Sequence, residues 1–281
     1  MRYEILGRLR VAHAEESIEI TAPKVGGLLA TLLVCEGQIV SSDRLIGELW
    51  GSNPPKKALS TLHVHMSQLR KTLELLRSGR NTITTRSSGY LLAVRPGELD
   101  AHEFRRLAIE GRDHARGKRH EEAVTAFDAA LCYWRGPVLE ELRDAPIINN
   151  FASSLEETRL ECVEARISSN QALGRYRETV GDLVWLVAQH PLHEELRRKL
   201  MLALFHSGRR AEALEVYDEG RRILDHELGL GPSKPLSELH RSILSAGRSV
   251  RSGAGEQSVH VAQGGCFQQV RQRHCSTRPA L

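Results

Sequence analysis

The sequence has little that would anchor it in a membrane or bind a metal. No apolar run in its 281 residues approaches the roughly 18 residues of a membrane-spanning helix, and no apolar signal-peptide core follows Met1. The five cysteines are scattered and form no C-x-x-C pair. This pattern favours reduced thiols. We therefore expect a cytoplasmic protein with no membrane partner, no metal and no other cofactor.

The motifs of the common enzyme classes are also absent. There is no G-x-x-x-x-G-K-[ST] loop, Rossmann glycine fingerprint, G-x-S-x-G elbow or H-E-x-x-H helix. His63 and His65 lie two residues apart in a predicted helix, so their side chains diverge. Near the C-terminus, one set of residues has spacings that fit no standard zinc site: His260, Cys266, His274 and Cys275. We expect that the protein is not an enzyme.

Positive charge is concentrated in the N-terminal third of the chain. Residues 1–96 contain 13 Lys/Arg against 8 Asp/Glu, whereas residues 97–246 contain 21 against 26. Between residues 53 and 95, eight basic residues accompany one acidic residue, Glu74. A basic block beside an acidic one suggests a polyanion-binding module joined to a protein-contacting module. The alternative is a solvated basic face without a partner.

Residues 1–96 have the pattern of a small mixed domain. Alternating segments at Tyr3–Leu9 and Ile18–Ile20 predict strands. An apolar helix is predicted at Lys24–Cys35, after Pro23. A second helix runs from a Ser-Ser-Asp cap at residues 41–43 to Trp50, before Gly51, and a third helix is predicted at Lys56–Leu76.

The third predicted helix has two chemically different faces. Apolar residues at helical spacing predict the buried face: Ala58, Leu59, Leu62, Met66, Leu69, Leu73 and Leu76. The opposite side has small and hydrogen-bonding residues in its middle and cations towards its ends: Lys57, Ser60, Thr61, His63, Val64, Ser67, Gln68, Arg70 and Lys71. Small polar side chains let a helix lie deep in a DNA major groove, where Gln, Arg, Ser and Thr bind base edges. The pattern therefore predicts a recognition helix.

A β-hairpin is predicted after this helix. Its strands are Thr82–Arg86 and Tyr90–Arg95, each carrying basic charge, and Ser87-Ser88-Gly89 forms the turn. Strands, three helices and a closing basic hairpin describe a winged helix-turn-helix. The hairpin tip would reach the DNA backbone or minor groove beside the recognition helix.

These residues resemble the OmpR-like winged-helix effector domain over residues 1–96. The resemblance rests on segments of the second helix, the third helix and the hairpin: Ser42–Ile46 with Leu49–Gly51, Ala58 with Thr61-Leu62 and Val64–Arg70, and Gly89–Leu92. What the resemblance implies is a domain that binds double-stranded DNA.

Beyond residue 96 the pattern becomes helical. Asp100 is expected to cap a first helix, and further helices are predicted at Glu121–Trp134 and Asn150–Leu173. The segments that begin at Gly174 and Gly208 share Gly-Arg and a following Glu at an offset of 34 residues, which is the tetratricopeptide period. A degenerate copy follows Gly117. The alternative to tetratricopeptide-like helices is an ordinary helical bundle.

Two segments of this region, Leu131–Leu139 and Glu227–Ser233, resemble the bacterial transcriptional activation domain. That domain follows an OmpR-like domain in the Streptomyces antibiotic regulatory protein family, so the resemblance covers about residues 1–246. It implies an α+β winged helix-turn-helix domain at 1–96 and an all-α tetratricopeptide-like domain at 97–246. Residues 247–281, rich in Gly, Ser, Gln and Arg, are expected to form a disordered tail.

The family resemblance implies an activator of a secondary-metabolite (antibiotic) gene cluster. The protein would bind direct repeats in promoter DNA as a homodimer at the nucleoid and recruit RNA polymerase holoenzyme. A repressor with the same DNA-binding mode, or a tetratricopeptide-type adaptor that binds an acidic protein, is the alternative.

The expected DNA contacts divide into two groups. Cations are expected to bind phosphates: Lys56, Lys57, Arg77, Arg80 and Arg86. Groove contacts are expected from the exposed side of the third helix: Thr61, Val64, Gln68 and Arg70, with Ser60, Ser67 and Lys71 beside them. Ser87, at the hairpin tip, is also expected to bind DNA. The family commonly has Arg where Gln68 stands. Because Gln suits adenine and Arg suits guanine, the base preference stays open.

Overall fold

A computed structural model of the chain describes residues 1–13, 16–75 and 83–246. The chain forms two compact units, Met1–Ser169 and Asn170–Leu281. The first contains strands β1–β5, helices α1–α5 and most of α6: β1 Arg2–Glu4, β2 Arg10–His13, β3 Glu16–Glu19, α1 Pro23–Val34, α2 Ser42–Trp50, α3 Ala58–Leu75, β4 Ile83–Arg86, β5 Gly89–Leu92, α4 Asp100–Arg116, α5 His120–Leu131 and α6 Pro146–Ala172. The second contains α7 Tyr176–Gln189, α8 Glu194–His206, α9 Arg210–Leu228 and α10 Lys234–Ala246.

The predicted boundary after residue 96 rests on sequence pattern and stays a prediction, since compactness divides the chain at residues 169 and 170. The predicted tail, residues 247–281, lies outside the described residues. In the part of the chain that the structure describes, no helix is long and apolar enough to cross a bilayer.

The N-terminal sheet differs from the prediction. β1, β2 and β3 form an antiparallel sheet in that order. The predicted strand Tyr3–Leu9 is wrong beyond Glu4, because the amides of Ile5 and Leu6 donate to the carboxylate of Asp100 at 3.0 and 3.1 Å instead of to a neighbouring strand. The chain then turns at Gly7, whose φ is +146°.

The first two predicted helices are present with small shifts at their ends. α1 begins at Pro23, a position in the first helical turn where the missing N–H costs nothing. In α2, the Ser41 hydroxyl accepts a hydrogen bond from the amide of Arg44 at 3.2 Å, as the cap predicts. Gly51 ends α2 with a positive φ of 56°.

The role predicted for Asp100 is wrong. Leu99 occupies the N-cap position of α4 and provides no side-chain cap, while Asp100 is 1% exposed and bonded to the β1 segment. Its carboxylate also accepts a 2.8 Å bond from Arg135, whose own amide donates to the Leu6 carbonyl. The segment after α5 is therefore held against the β1–β2 turn, and α5 ends at Leu131 rather than at the predicted Trp134.

α6 begins at Pro146, four residues before the predicted start. The amide of Ile147 donates to the carboxylate of Glu48 in α2 at 3.1 Å, so a side chain of α2 satisfies a free amide in the first turn of α6. A single apolar core contains residues from Tyr3 to Cys162. The sheet, α1–α3, the hairpin and α4–α6 thus share one interior.

The second unit shows the predicted repeat as a geometric one. α7 and α9 begin at Tyr176 and Arg210, and each follows a turn whose glycine, Gly174 or Gly208, has φ near +78°. In both turns the amide after the glycine donates at 2.9 Å to the carbonyl five residues earlier. This supports the tetratricopeptide-like reading of the helices.

The same turn occurs before α5 in the first unit. There Lys118, with φ of +58°, takes the left-handed position, and the amide of Arg119 donates to the carbonyl of His114 at 2.9 Å. The turn therefore lies within the predicted degenerate copy, with Lys118 at the position of Gly174.

Candidate nucleic-acid interface

One face of α3 lies in the core, as predicted. Leu62, Met66, Leu69 and Leu73 are all at most 5% exposed. The prediction is wrong for Leu59, which is 49% exposed because it lies in the first turn of α3, ahead of the core. The helix begins at Ala58, which is half-buried, and Leu76 lies outside the described residues.

The opposite face of α3 is open to solvent. Ser60, Val64, Ser67 and Lys71 are all exposed and follow one another at the spacing of one helix face. Val64 is 55% exposed, so an apolar side chain lies in the middle of this row without being needed for the core. We call these four residues the exposed row.

Two further predicted groove residues flank the exposed row. Gln68 is exposed, and its Oε1 lies 3.1 Å from Nδ1 of His65. Thr61 is half-buried and its hydroxyl donates to the carbonyl of Lys57 at 3.0 Å. The side-chain NH₂ group of Gln68 takes no part in that contact and can donate to a ligand, whereas the Thr61 hydroxyl already donates to Lys57.

The predicted phosphate-binding cations lie at the edges of this face. Lys56 and Lys57 are exposed in the turn before α3, and Arg86 is exposed at the end of β4. Ser87 is exposed in the turn that follows. The predicted sites Arg77 and Arg80 lie outside the described residues.

The end of α2 is fixed between α1 and α3. The Lys24 ammonium donates to the carbonyl of Leu49 and lies 5.7 Å from the centre of the Trp50 ring. The ring centres of Trp50 and His65 are 6.2 Å apart. The end of α2 thus contacts both α1 and α3.

The hairpin is present but shorter than predicted, since β5 ends at Leu92 rather than Arg95. β4 and β5 pair with Arg86 opposite Gly89, which leaves Ser87 and the next serine as the turn. Gly89 has φ of +153°, and a Cβ there would lie 2.0 Å from the carbonyl oxygen of Val40. Only glycine fits this approach, so the Gly-Tyr pair of the sequence marks where the hairpin meets the α1–α2 linker.

Arg70 lies at the junction of α3 and the hairpin. Its guanidinium donates to the Thr85 hydroxyl at 2.7 Å and to the carbonyl of Ile83 at 3.3 Å, and it lies 5.8 Å from the centre of the Tyr90 ring. No local pattern in the sequence indicates these partners, which lie 13 to 20 positions away. Only the strand register, which places Thr85 opposite Tyr90, identifies them.

A winged helix-turn-helix with an exposed, cation-bordered face, followed by tetratricopeptide-like helices, defines a class of transcriptional regulator. Two family models match the corresponding parts of the chain. Residues 15–92 match "Transcriptional regulatory protein, C terminal", and residues 99–244 match "Bacterial transcriptional activator domain".

Similar proteins occur in the bacterial genera Streptomyces and Mycobacterium. Regulatory protein DnrI of Streptomyces peucetius is 34% identical over 88% of this chain and 93% of its own length. Regulatory protein AfsR of Streptomyces griseus is 36% identical over 91% of this chain, which spans 26% of that protein. The solved structure of Mycobacterium tuberculosis EmbR in complex with a low-affinity phosphopeptide has a TM-score of 0.81 and 30% identity, and covers 87% of this chain and 65% of its own.

The chain belongs to the Streptomyces antibiotic regulatory protein family of transcriptional regulators. The fold class predicted from the sequence is confirmed.

Proposed function

We propose that the protein is a sequence-specific DNA-binding activator of a secondary-metabolite gene cluster. The observation that carries the proposal is the division of α3 into a fully buried leucine and methionine stripe and an exposed row bordered by lysines. A helix held by one side and free on the other can enter a major groove without rearrangement of the core.

The chemistry of the exposed row suits base reading. Serines at positions 60 and 67 allow close approach of the helix backbone, and Val64 can contact the methyl group of thymine. Gln68 can donate to and accept from adenine. Lys56 and Lys57 at the start of the face, with Arg86 on the hairpin, would bind phosphates and set the register, and Lys71 at the other end would lie beside the groove contacts.

Homodimers on promoter direct repeats, recruitment of RNA polymerase and a location at the nucleoid in the cytoplasm belong to the same proposal. Protomers one helical turn apart would lie on the same side of the DNA. The match of residues 99–244 to an activator domain supports activation rather than repression. A repressor, or an adaptor that binds an acidic protein, is the alternative.

The test is binding of the purified chain to promoter DNA beside the adjacent biosynthetic genes, measured by fluorescence anisotropy against a random duplex. Gln68→Ala should relax the preference at one base pair and cost roughly 1–3 kcal/mol there. Lys57→Ala should weaken both duplexes alike and reduce the salt slope by about one. Lys234→Ala, the same change at a residue of α10 that is 85% exposed, is the control and should leave binding unchanged.

Equal losses on both duplexes for Gln68→Ala would remove that residue from base reading. No specific binding by the wild type at moderate salt would favour the adaptor. Run-off transcription with purified polymerase separates the other two alternatives: added protein should raise the output, and a fall would identify a repressor.

A further inference from the structure

We propose that Arg70 is a positioning residue, which bonds the recognition helix to the hairpin so that both bind DNA as one rigid unit. The inference rests on the proposed DNA-binding function. It differs from the sequence-based expectation, in which Arg70 contacts the groove directly.

Two of the three contacts of Arg70 lie on one rung of the hairpin, the Thr85–Tyr90 pair. Thr85, which accepts the 2.7 Å bond, is paired with Tyr90, whose ring lies 5.8 Å from the guanidinium. The same nitrogen of Arg70 donates to the carbonyl of Ile83. The next rung carries Arg86, the cation expected to bind a phosphate. Arg70 therefore bonds the hairpin one residue away from its candidate DNA contact.

The opposite side of the same rung is also fixed. The amide and carbonyl of Tyr90 both pair with Val40 at 2.9 Å, and Gly89 approaches the carbonyl of Val40 closely. Val40 directly precedes Ser41, the cap of α2. The Tyr90 rung is thus held by the α1–α2 linker on one side and by α3 on the other. Without Arg70, the hairpin would keep its attachment near α2 and its apolar packing in the shared core, and would lose these polar bonds to α3.

The ring contact in this arrangement favours arginine, because one guanidinium nitrogen makes both hydrogen bonds while the planar group lies over the Tyr90 ring. A planar guanidinium donates to a hydroxyl and a carbonyl and also packs against an aromatic ring, whereas an ammonium is a compact point charge without that shape. A phosphate contact places a weaker demand, because lysine also binds phosphate. Lysine at position 70 therefore separates the two roles.

The experiment is a double-mutant cycle in the full-length protein, with the dissociation constant on promoter DNA as the readout. Arg70→Ala should weaken binding about 10-fold and Thr85→Val by a smaller factor, because the contacts of Arg70 with the Ile83 carbonyl and the Tyr90 ring remain. The double variant should be no weaker than Arg70→Ala alone, because both changes break the same Arg70–Thr85 bond. Thr85→Val removes no charge, so a loss that disappears in the Arg70→Ala background cannot come from a lost Arg–phosphate contact. Thr84→Val is the control: it makes the same change on the other face of the strand, and its loss should add to that of Arg70→Ala.

Three further readouts distinguish positioning from direct contact. Arg70→Lys should behave like Arg70→Ala. Arg70→Ala should weaken binding to all single-base variants of the site by one common factor. Arg86→Ala should lower the salt slope by about one in the wild type and by much less in the Arg70→Ala background, where the hairpin is already displaced.

Additive losses for Arg70→Ala and Thr85→Val, near-wild-type binding by Arg70→Lys, or relaxed preference at a single base for Arg70→Ala would each overturn the inference while the proposed function stood. Absence of specific binding by the wild type would overturn both. Arg70→Lys and Thr85→Val keep most of the side-chain volume, so the cycle can be completed with Arg70→Lys if Arg70→Ala does not fold.

Discussion

Polar side-chain bonds stabilise each of the two compact units, and the separation in sequence that these bonds span differs between the units. In residues 1–169, side chains bond backbone groups 94 to 99 positions away, as Asp100 does with Leu6 and Glu48 with Ile147. In residues 170–246, Arg198 donates to Glu195 three positions away, and a longer bond runs from the amide of Ser233, just before α10, to Glu194 in α8, 39 positions away. The fold of the first unit therefore depends on contacts between segments that are distant in sequence, whereas the second unit is a stack of helices with contacts of shorter sequence separation.

This difference bears on how the two halves of a regulator can communicate. The helix-turn-helix shares one apolar core and the Glu48–Ile147 bond with α4–α6. A change in the shape of α6 would therefore act on α2, and thus on the presentation of α3. Substitutions in the DNA-binding region and in the helices that follow it, as far as Cys162, are therefore coupled through the shared core.

The largest expected effect comes from Asp100→Asn in the first unit. Burial raises the pKa of Asp100, and bonds from Ile5 and from Arg135 oppose that rise. The side-chain amide that replaces the carboxylate has one accepting atom instead of two, so the amide of Leu6 and the guanidinium of Arg135, which share one carboxylate oxygen, would lose their acceptor at about 1–3 kcal/mol each. Urea denaturation, combined with hydrogen exchange resolved by segment, should show this loss in β1–α5 and little change in α7–α10.

The control is Asp113→Asn, which changes an exposed partner of Arg116 and should cost less than about 1 kcal/mol. The double variant Asp100→Asn with Arg135→Met should recover part of the stability, because no guanidinium donor then faces the new side-chain amide. If Asp100→Asn lowered the exchange protection of both units equally, the contrast between them would be wrong.

A second, smaller effect is expected from Arg197→Met in the second unit. Arg197 is 2% exposed and donates to the carbonyls of Val216 and Pro191 at 3.0 and 3.2 Å. Its side chain lies against Gly220, where a Cβ would come within 2.3 Å of it. The loss of these bonds should cost about 1–3 kcal/mol in α7–α10 alone, measured by the same exchange experiment.

Arg198→Met provides the matched control, because Arg198 is the next residue of α8 and its partner Glu195 is 43% exposed. It should cost less than about 1 kcal/mol. A loss for Arg197→Met that spread to the exchange of α1–α3 would show that the second unit is not an independent stack.

The features that the sequence predicted are those with a local pattern. The buried stripe of α3 has a helical period, and the Ser41 cap and the Gly51 stop lie directly beside the ends of α2. The 34-residue repeat is visible because its copies have similar residues at the same spacing. The features that were missed need a partner from elsewhere in the chain. β2 is four residues long and contains one fully buried apolar side chain, Val11. It therefore lacks the alternation of apolar and polar residues that would predict a strand from the sequence.

The same reason explains the two side chains whose roles were misjudged or incomplete. Asp100 precedes a helix, which is the usual context of a cap, and only the fold brings Ile5 and Leu6 to its carboxylate. Arg70 lies on the cationic side of α3, and only the hairpin register brings Thr85 to it. In both cases the residue type and the local pattern were compatible with the predicted role, and a distant partner decided between the possibilities.

The smallest expected effect is the dependence of stability on pH. One carboxylate of each unit, Glu195 and Asp100, should contribute to this dependence, and the two contributions should have opposite signs. A hydrogen bond from Arg198 holds the pKa of Glu195 below its ordinary value of 4.5, so the ionised form stabilises the folded state above about pH 4.5. That contribution is lost as the pH falls through the lower, folded pKa. Because Glu195 is 43% exposed, solvent screening limits it to about 0.5 kcal/mol.

For Asp100 the folded pKa is raised, so its protonated form stabilises the fold below the ordinary value of 3.8 and this contribution is lost as the pH rises through the folded pKa. The cost of Glu195→Gln should therefore shrink, and the cost of Asp100→Asn should grow, as the pH is lowered from 7 towards 3.5. Denaturation of each variant and the wild type across this range measures both slopes. A cost of Asp100→Asn that shrank in step with that of Glu195→Gln would mean that the bonds from Ile5, Leu6 and Arg135 outweigh burial, and the carboxylates of the two units would then differ in reach but not in electrostatics.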